Sequence, residues 1–159
     1  MKEKKIKHEF GFESEAQAVK EYSHLNRDYM YANYPLIADE IISKLKLKKI
    51  NVLDIGTGLG SLAIEFAKRL PESKIYGIDI SDEMLAEARK NSQEANIDNI
   101  EFKICDVHKM DFEDNFFDLI ISFGVLHHLR DLKLTFSEIK RVLKANGCAY
   151  IYDLRKDSP

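Results

Sequence analysis

Residues 52–60 constrain the fold of this chain more strongly than any other segment. They read Val-Leu-Asp-Ile-Gly-Thr-Gly-Leu-Gly, a short apolar run that leads into three glycines at alternate positions. A helical pattern of apolar residues follows directly at residues 61–67. This order predicts a strand, a tight turn and a helix, an arrangement in which backbone N–H groups and a helix N-terminus meet a ligand. Since glycine-rich turns occur in many proteins, the kind of ligand depends on residues farther along the chain.

Predicted strands and helices alternate on both sides of this turn. Apolar runs predict strands at residues 50–55, 74–80, 100–105, 117–123 and 148–154, and helical spacing predicts helices at residues 14–31, 35–45, 61–70, 82–96 and 132–143. The second of these helices should bury Leu36, Ile37, Ile41, Ile42 and Leu45, and the last should bury Leu132, Phe136, Ile139, Val142 and Leu143. The alternation predicts an α/β fold, with a three-layer, Rossmann-like parallel sheet and helices on both faces.

Composition narrows the class of protein further. A chain of 159 residues with 45% hydrophobic and 32% charged residues is predicted to form a single globular domain, residues 1–159. The net charge of -3 gives no general attraction to nucleic acid or to a membrane surface. No apolar run is long enough to span a membrane or resembles a signal peptide, so a cytoplasmic location is expected. Cys105 and Cys148 lie in apolar runs and are predicted to be buried, reduced thiols.

Acidic residues at strand ends help to choose between two ligands, a dinucleotide and S-adenosylmethionine (SAM). Asp54 would repel a phosphate but would favour the ammonium and sulfonium groups of SAM. A dinucleotide turn needs a third glycine at position 61, which is Ser61 here, with Gly60 one residue earlier. Asp79 ends the second predicted strand and suits a ribose of either ligand, and Asp106 ends the third and suits the amine of adenine.

In combination, several segments resemble the class I SAM-dependent methyltransferases that act on small molecules. The matching segments are residues 52–60, 76–80, 105–107, 117–129 and 141–147. The resemblance implies that SAM is the cofactor and that Asp79 binds its ribose. It further implies that the methionine part is surrounded by Asp54, Gly56, Thr57 and Gly58. The adenine would be framed by Asp106 and Val107, and the nucleoside would pack on Ile80 and Met84. The methyl group would lie near Phe123.

The chain departs from the family pattern near its end. The family usually has Pro-Gly-Gly before the fifth strand, where this chain has Ala145-Asn146-Gly147, and Asn-Gly is also a competent turn pair that should end the preceding helix. The family also adds two further strands, whereas this sequence stops soon after the fifth. We therefore expect a sheet that lacks the last two of the usual seven strands. The edge of the fifth strand would be covered by a second copy, as in a homodimer, or by a missing C-terminal segment.

The sequence defines less clearly the part of the site that would bind the methyl acceptor. His127 and His128 follow the fourth strand near the expected methyl site and are candidates for a general base, with loop anchoring as the alternative. The N-terminal segment, residues 1–48, is expected to form lid helices over a core at residues 49–159, and Tyr22 is the leading candidate for a cofactor contact in that lid, beside Tyr29 and Tyr34.

These features predict an enzyme that transfers a methyl group from SAM to a small molecule, without nucleic acid, membrane or metal. Two alternatives stay open. One is a non-catalytic, SAM-binding regulatory member of the fold. The other is a nucleotide-dependent oxidoreductase, which would bind NADH in competition with SAM.

Overall fold

The computed structural model describes residues 31–46 and 49–153. It contains one five-stranded sheet in the order β3-β2-β1-β4-β5, and every neighbouring pair is parallel. The strands are β1 (Asn51–Ile55), β2 (Lys74–Asp79), β3 (Ile100–Ile104), β4 (Phe117–Phe123) and β5 (Leu143–Tyr152). The helices are α1 (Tyr34–Ser43), α2 (Ser61–Arg69), α3 (Asp82–Glu94) and α4 (Leu132–Val142), with short 3-10 turns at Tyr31–Asn33 and Leu126–His128.

Two apolar clusters cover the two faces of the sheet. Successive residues of a strand point to opposite faces, so Val52 joins one cluster and Leu53 the other. The first cluster packs α1 and α2 on the sheet, and the second packs Ile139 and Val142 of α4 on the opposite face. The predicted three-layer, Rossmann-like α/β fold is therefore confirmed, and the described residues form five strands.

The second face is completed by aromatic rings because residues 105–116 connect β3 to β4 without a helix. Tyr76 packs edge-on against Phe112, Phe116 and Phe117, with ring centroids 5.5–5.6 Å apart. Edge-to-face contacts of this kind bury large apolar surfaces and stabilise the face that a helix would otherwise cover.

The predicted start of β5 was wrong. The strand begins at Leu143, directly after α4, and the Asn146-Gly147 pair lies inside it. Pairing steps from Phe117 opposite Leu143 to Leu119 opposite Cys148, so β5 accommodates extra residues as an irregularity. A side chain at Gly147 would come within 3.0 Å of the backbone oxygen of Asp118, which explains why glycine is present there.

Two predicted helix faces were wrong in part. Leu36 of α1 is 68% exposed, and the buried residues of that helix are Tyr34, Ala38 and Ile41. In α4 the buried residues are Thr135, Ile139 and Val142, whereas Leu132 and Phe136 are exposed. Thr135 is buried without cost because its hydroxyl donates to the backbone oxygen of Asp131 at 2.9 Å.

The two cysteines also differ from each other. Cys105 is buried as predicted, but Cys148 is exposed, which corrects the prediction for that residue. Cys148 lies on β5, the strand at one end of the sheet order, where the described residues provide few covering side chains. The predicted helix at residues 14–31 lies almost wholly outside the described residues, as do Tyr22 and Tyr29.

Candidate functional site

The glycine turn between β1 and α2 adopts a backbone that suits glycine. Gly56, Gly58 and Gly60 have φ values of +67°, +52° and +76°, in the left-handed region. A side chain at Gly56 would overlap the methyl groups of Val125, so the loop after β4 lies directly against the turn. At Gly58, by contrast, a Cβ would meet nothing within 4 Å. The turn therefore has one packed side and one open side.

Asp54 is buried beneath this turn and is only 2% exposed. The Thr57 hydroxyl donates to its carboxylate at 2.7 Å. Burial raises the pKa of Asp54 from 3.8 to about 7; the Thr57 hydroxyl and the backbone N–H of Ala63 oppose the rise, and the negative charge of Asp79 adds to it. Asp54 thus stabilises the turn through its hydrogen bond with Thr57. Its predicted contact with the ammonium group of SAM stays a prediction.

Asp79 connects the end of β2 to the same turn. One carboxylate oxygen accepts from the backbone N–H of Gly58 and the other from that of Ser81, each at 3.0 Å. The Ser81 hydroxyl in turn caps α3 by accepting from the N–H of Met84 at 3.2 Å. Since each carboxylate oxygen has two lone pairs, Asp79 keeps capacity to accept from a hydroxyl pair.

An apolar surface lies beside Asp79. Ile80, the next residue, is 76% exposed, and Met84 on the first turn of α3 is half-buried. An exposed isoleucine at the end of a central strand offers a surface on which a flat ring would pack, as predicted for the nucleoside.

Asp106 follows β3 and is 62% exposed at its side chain. Its Oδ1 accepts from the backbone N–H of His108 at 2.9 Å and lies 2.7 Å from Nδ1 of the same histidine. These contacts, the backbone one first, hold the pKa of Asp106 below its usual value, so the group is an ionised acceptor at neutral pH. Val107 is only 6% exposed and packs into the second apolar cluster.

The other half of the edge carries aromatic and histidine side chains. The ring of Phe123 is half-buried. Its centroid lies 5.4 Å from that of Tyr34 and 5.8 Å from that of Tyr152. Tyr34 is only 8% exposed, so it packs in the core at the start of α1.

His127 lies in the 3-10 turn after β4 and is bound by Asp153 at the end of β5. The carboxylate of Asp153 accepts from the His127 backbone N–H at 2.9 Å and lies 2.8 Å from its Nδ1. The ring of His128 packs against that of His127, with centroids 3.8 Å apart. This pair of contacts anchors the loop, and it also leaves Nε2 of His127 as the ring nitrogen outside the Asp153 contact.

The structure therefore places all the predicted cofactor residues within residues 49–153 along the carboxyl edge of the sheet, while Tyr22 lies outside the described residues. Sequence reasoning missed Asp153, His108 and Val125. Asp153 had a usable signal, because it lies at the carboxyl end of a strand, as the three predicted acids do. Val125 had none, because a packing contact with a glycine turn leaves no pattern.

Within residues 31–46 and 49–153, no cluster of histidine, cysteine, aspartate and glutamate side chains has an arrangement that would hold a metal ion. No helix of that part of the chain is long and apolar enough to cross a membrane.

Comparison with known proteins identifies the family. Residues 46–158 match the model of a family described as a methyltransferase domain. The chain belongs to this family. The predicted resemblance to class I SAM-dependent methyltransferases is thereby confirmed.

Individual relatives agree with this assignment. The chain is 44% identical over 103 residues to a demethylmenaquinone methyltransferase of Chlorobaculum tepidum, a match that covers 64% of this chain and 40% of that protein. It is 35% identical over 106 residues to an uncharacterised methyltransferase of Schizosaccharomyces pombe, covering 63% and 38% respectively. The chain thus spans about two-fifths of the length of these relatives.

Solved structures show the same fold. A candidate S-adenosyl-L-methionine-dependent methyltransferase of Methanococcus maripaludis has a TM-score of 0.81 and 34% identity, over 86% of this chain and 62% of that one. A phosphoethanolamine N-methyltransferase of Haemonchus contortus, in complex with S-adenosyl-L-methionine, has a TM-score of 0.74 and 26% identity, over 86% of this chain and 32% of that one.

The site of this methyltransferase domain fits an adenosine-containing cofactor. The open side of the turn at Gly58 leaves room that a Cβ would otherwise occupy. Asp79 ends β2 and Asp106 follows β3, and they provide acceptors for hydroxyl and amine groups. The exposed Ile80 directly follows Asp79. The residues present therefore match the chemistry of a nucleoside.

Proposed function

We propose that this methyltransferase domain binds SAM along the ends of β1, β2 and β3 and transfers its methyl group to a small-molecule acceptor. The observation that carries the proposal is the double contact of Asp79 with Gly58 and Ser81, beside the open face of the glycine turn. A carboxylate in that place would accept from the ribose hydroxyls without moving either loop.

Each part of the cofactor has a proposed partner. Gly56, Thr57 and Gly58 would line the methionine part. Asp54 would lie beneath them, and a cationic ligand above the turn would favour its ionised form. Asp106 and Val107 would frame the adenine, and Ile80 and Met84 would pack on the nucleoside. Phe123, at the end of β4, would lie beside the methyl group.

When bound, SAM would supply a methyl group on a cationic sulfur, and the acceptor atom would form a bond to that methyl carbon in line with the carbon–sulfur bond that breaks. The protein then has two tasks, to align the acceptor and to exclude water. We propose that residues 1–48 contribute to the second task, with Tyr22 in a lid helix. His127 and His128 are proposed to face the acceptor, and His127 would accept a proton where the acceptor carries one.

A small-molecule acceptor is supported by two of the relatives. Their names specify demethylmenaquinone and phosphoethanolamine, which are both small molecules.

The location is proposed to be cytoplasmic on the basis of the sequence. The exposed β5, with Cys148 at its surface, supports the proposal that a second copy or a further segment of chain covers this strand.

Titration calorimetry with SAM and with its demethylated product tests the proposal. Both should bind, and Asp79→Ala should weaken both about tenfold or more, because it removes charge-assisted hydrogen bonds of about 1.5–3 kcal/mol. Asp98→Ala is the matched control, since Asp98 is an exposed acid that precedes β3 at the opposite edge of the sheet. A folded wild-type protein that gives no heat with either ligand would refute the proposal.

Transfer itself is tested by incubating the protein with methyl-labelled SAM and a fractionated metabolite extract. A molecule that gains label identifies the acceptor. Binding of SAM without transfer to any fraction would instead favour the non-catalytic alternative, and NADH that competes with SAM would favour the oxidoreductase.

A further inference from the structure

We propose that His108 sets the base selectivity of this cofactor site by orienting Asp106 toward the 6-amino group of adenine. The inference rests on the proposed function, because it concerns how the same site distinguishes one purine from another. His108 is a positioning residue in this account, since it acts through the carboxylate of Asp106.

The first step is the contact between the two side chains. Asp106 is mostly exposed, and an exposed carboxylate on a loop ordinarily samples several rotamers. Here Nδ1 of His108 lies 2.7 Å from Oδ1, and the backbone N–H of His108 donates to the same oxygen at 2.9 Å. Two contacts to one oxygen fix the plane of the carboxylate, and Oδ2 makes no hydrogen bond within the described part of the chain.

The second step is the state of the histidine ring. Nε2 of His108 lies 3.4 Å from the backbone N–H of Asp131, which donates to it. A nitrogen that accepts a hydrogen bond carries no proton, so the proton of the neutral ring is on Nδ1, where it is donated to Asp106. Asp131 is itself fixed, because its side chain caps α4 by accepting from the N–H of Leu134 at 2.9 Å.

The third step is the chemistry of the open oxygen. The fixed Oδ2 of an ionised carboxylate accepts hydrogen bonds but cannot donate them. Adenine presents a 6-amino donor, whereas hypoxanthine presents a 6-oxo acceptor that would be repelled. The ring of His108 is only 21% exposed, so the loop holds this arrangement before any ligand arrives. Preorganised acceptors discriminate better than mobile ones because no ordering is required on binding.

The test compares two ligands, S-adenosylhomocysteine and S-inosylhomocysteine, which differ only at the purine. Calorimetry on the wild-type protein should show a preference for the adenine ligand. His108→Ala should lower the affinity for S-adenosylhomocysteine about three- to tenfold and leave that for S-inosylhomocysteine unchanged, so the ratio of affinities shrinks. Lys109→Ala, which alters the neighbouring exposed residue, should leave both affinities at their wild-type values.

A conservative variant separates positioning from packing. His108→Asn keeps a donor close to the position of Nδ1 and should restore most of the preference, whereas His108→Gln moves its amide outward and should not. This glutamine variant also replaces the alanine variant in the test if His108→Ala fails to fold.

Two results would overturn the inference while leaving the proposed function intact. One is an equal loss of affinity for both ligands in His108→Ala, and the other is an asparagine variant that behaves like the alanine variant. If the folded wild-type protein binds neither ligand, the proposed function fails and the inference fails with it.

Discussion

The carboxyl edge of the sheet has two sides that are built differently. On the glycine-turn side, formed by the ends of β1, β2 and β3, two of the three acids bind groups only a few residues away, as Asp54 binds Thr57 and Asp106 binds His108. The third, Asp79, binds both the nearby Ser81 and Gly58, which lies 21 residues earlier. On the histidine side, formed by the ends of β4 and β5, the loop is held by Asp153, which lies 26 residues beyond His127.

This difference shows that the two sides depend on the chain in different ways. Local contacts form wherever the strand and its loop form, so most contacts of the glycine-turn side lie within residues 49–110, and the contacts of Val125 with Gly56 and of Asp131 with His108 come from beyond them. The histidine side requires α4 and β5 to be in place first. We therefore expect substitutions on the first side to change folding and cofactor binding, and a substitution of Asp153 on the second side to change mainly the loop.

The largest effect is expected from Gly56→Ala on the glycine-turn side. The new methyl group would overlap Val125 and would force a positive φ on alanine, so the free energy of unfolding should fall by about 2–4 kcal/mol. Urea denaturation measures this. Gly58→Ala is the matched control, because its φ is also positive but its Cβ meets open space. It should cost about 1 kcal/mol and still block binding of S-adenosylhomocysteine. Equal destabilisation by both variants would contradict the conclusion that the turn is packed at Gly56 and open at Gly58.

The second prediction concerns the pH dependence that Asp54 confers. Its pKa in the folded protein, about 7, lies above the ordinary 3.8, so the folded state retains a proton that the unfolded chain releases. Stability contributed by this group should be lost as pH rises from about 4 to about 7, by up to about 1.4 kcal/mol per pH unit. Asp54→Asn should remove this slope, since an amide does not titrate and still accepts from Thr57.

Thermal melts of both proteins between pH 5 and pH 7.5 measure the difference between their pH profiles. Parallel profiles for the wild-type protein and the variant would show that Asp54 does not titrate in this range.

A smaller effect is expected on the histidine side from Asp153→Ala. Loss of its contacts with His127 should cost about 1 kcal/mol or less and should accelerate amide hydrogen exchange at residues 124–129. The affinity for S-adenosylhomocysteine should change less than about twofold, since these residues are not proposed to bind it. A tenfold loss of affinity would show that the two sides are coupled more tightly than the separate contacts indicate.

The smallest effect on stability is expected at Cys148. Its exposed thiol should react rapidly with a disulfide reagent while the buried Cys105 reacts only on unfolding, and Cys148→Ser should leave the melting temperature unchanged. Slow reaction of Cys148 in the native protein would instead indicate that a second copy or a further segment covers β5.

The glycine-turn side was predictable from the sequence because its signals are local. The glycines and the acids Asp54, Asp79 and Asp106 stand at fixed distances from apolar runs, and alternation alone implied the parallel sheet. The start of β5 at Leu143 was not predictable, since the irregular pairing opposite Phe117 depends on a neighbouring strand. His108 was missed for a related reason, because the contacts of its ring with Asp106 and Asp131 become visible only once the loops are folded. Asp153, by contrast, had a signal in its position at a strand end.

Because the Asp79 carboxylate already joins Gly58 to Ser81, the entropy of ordering these two loops is lost during folding rather than on ligand arrival. A ligand that meets a rigid site needs no slow rearrangement there, so its association rate should be set by diffusion and access. Selection for faster turnover would then act on the lid proposed for residues 1–48, while the turn itself stays unchanged.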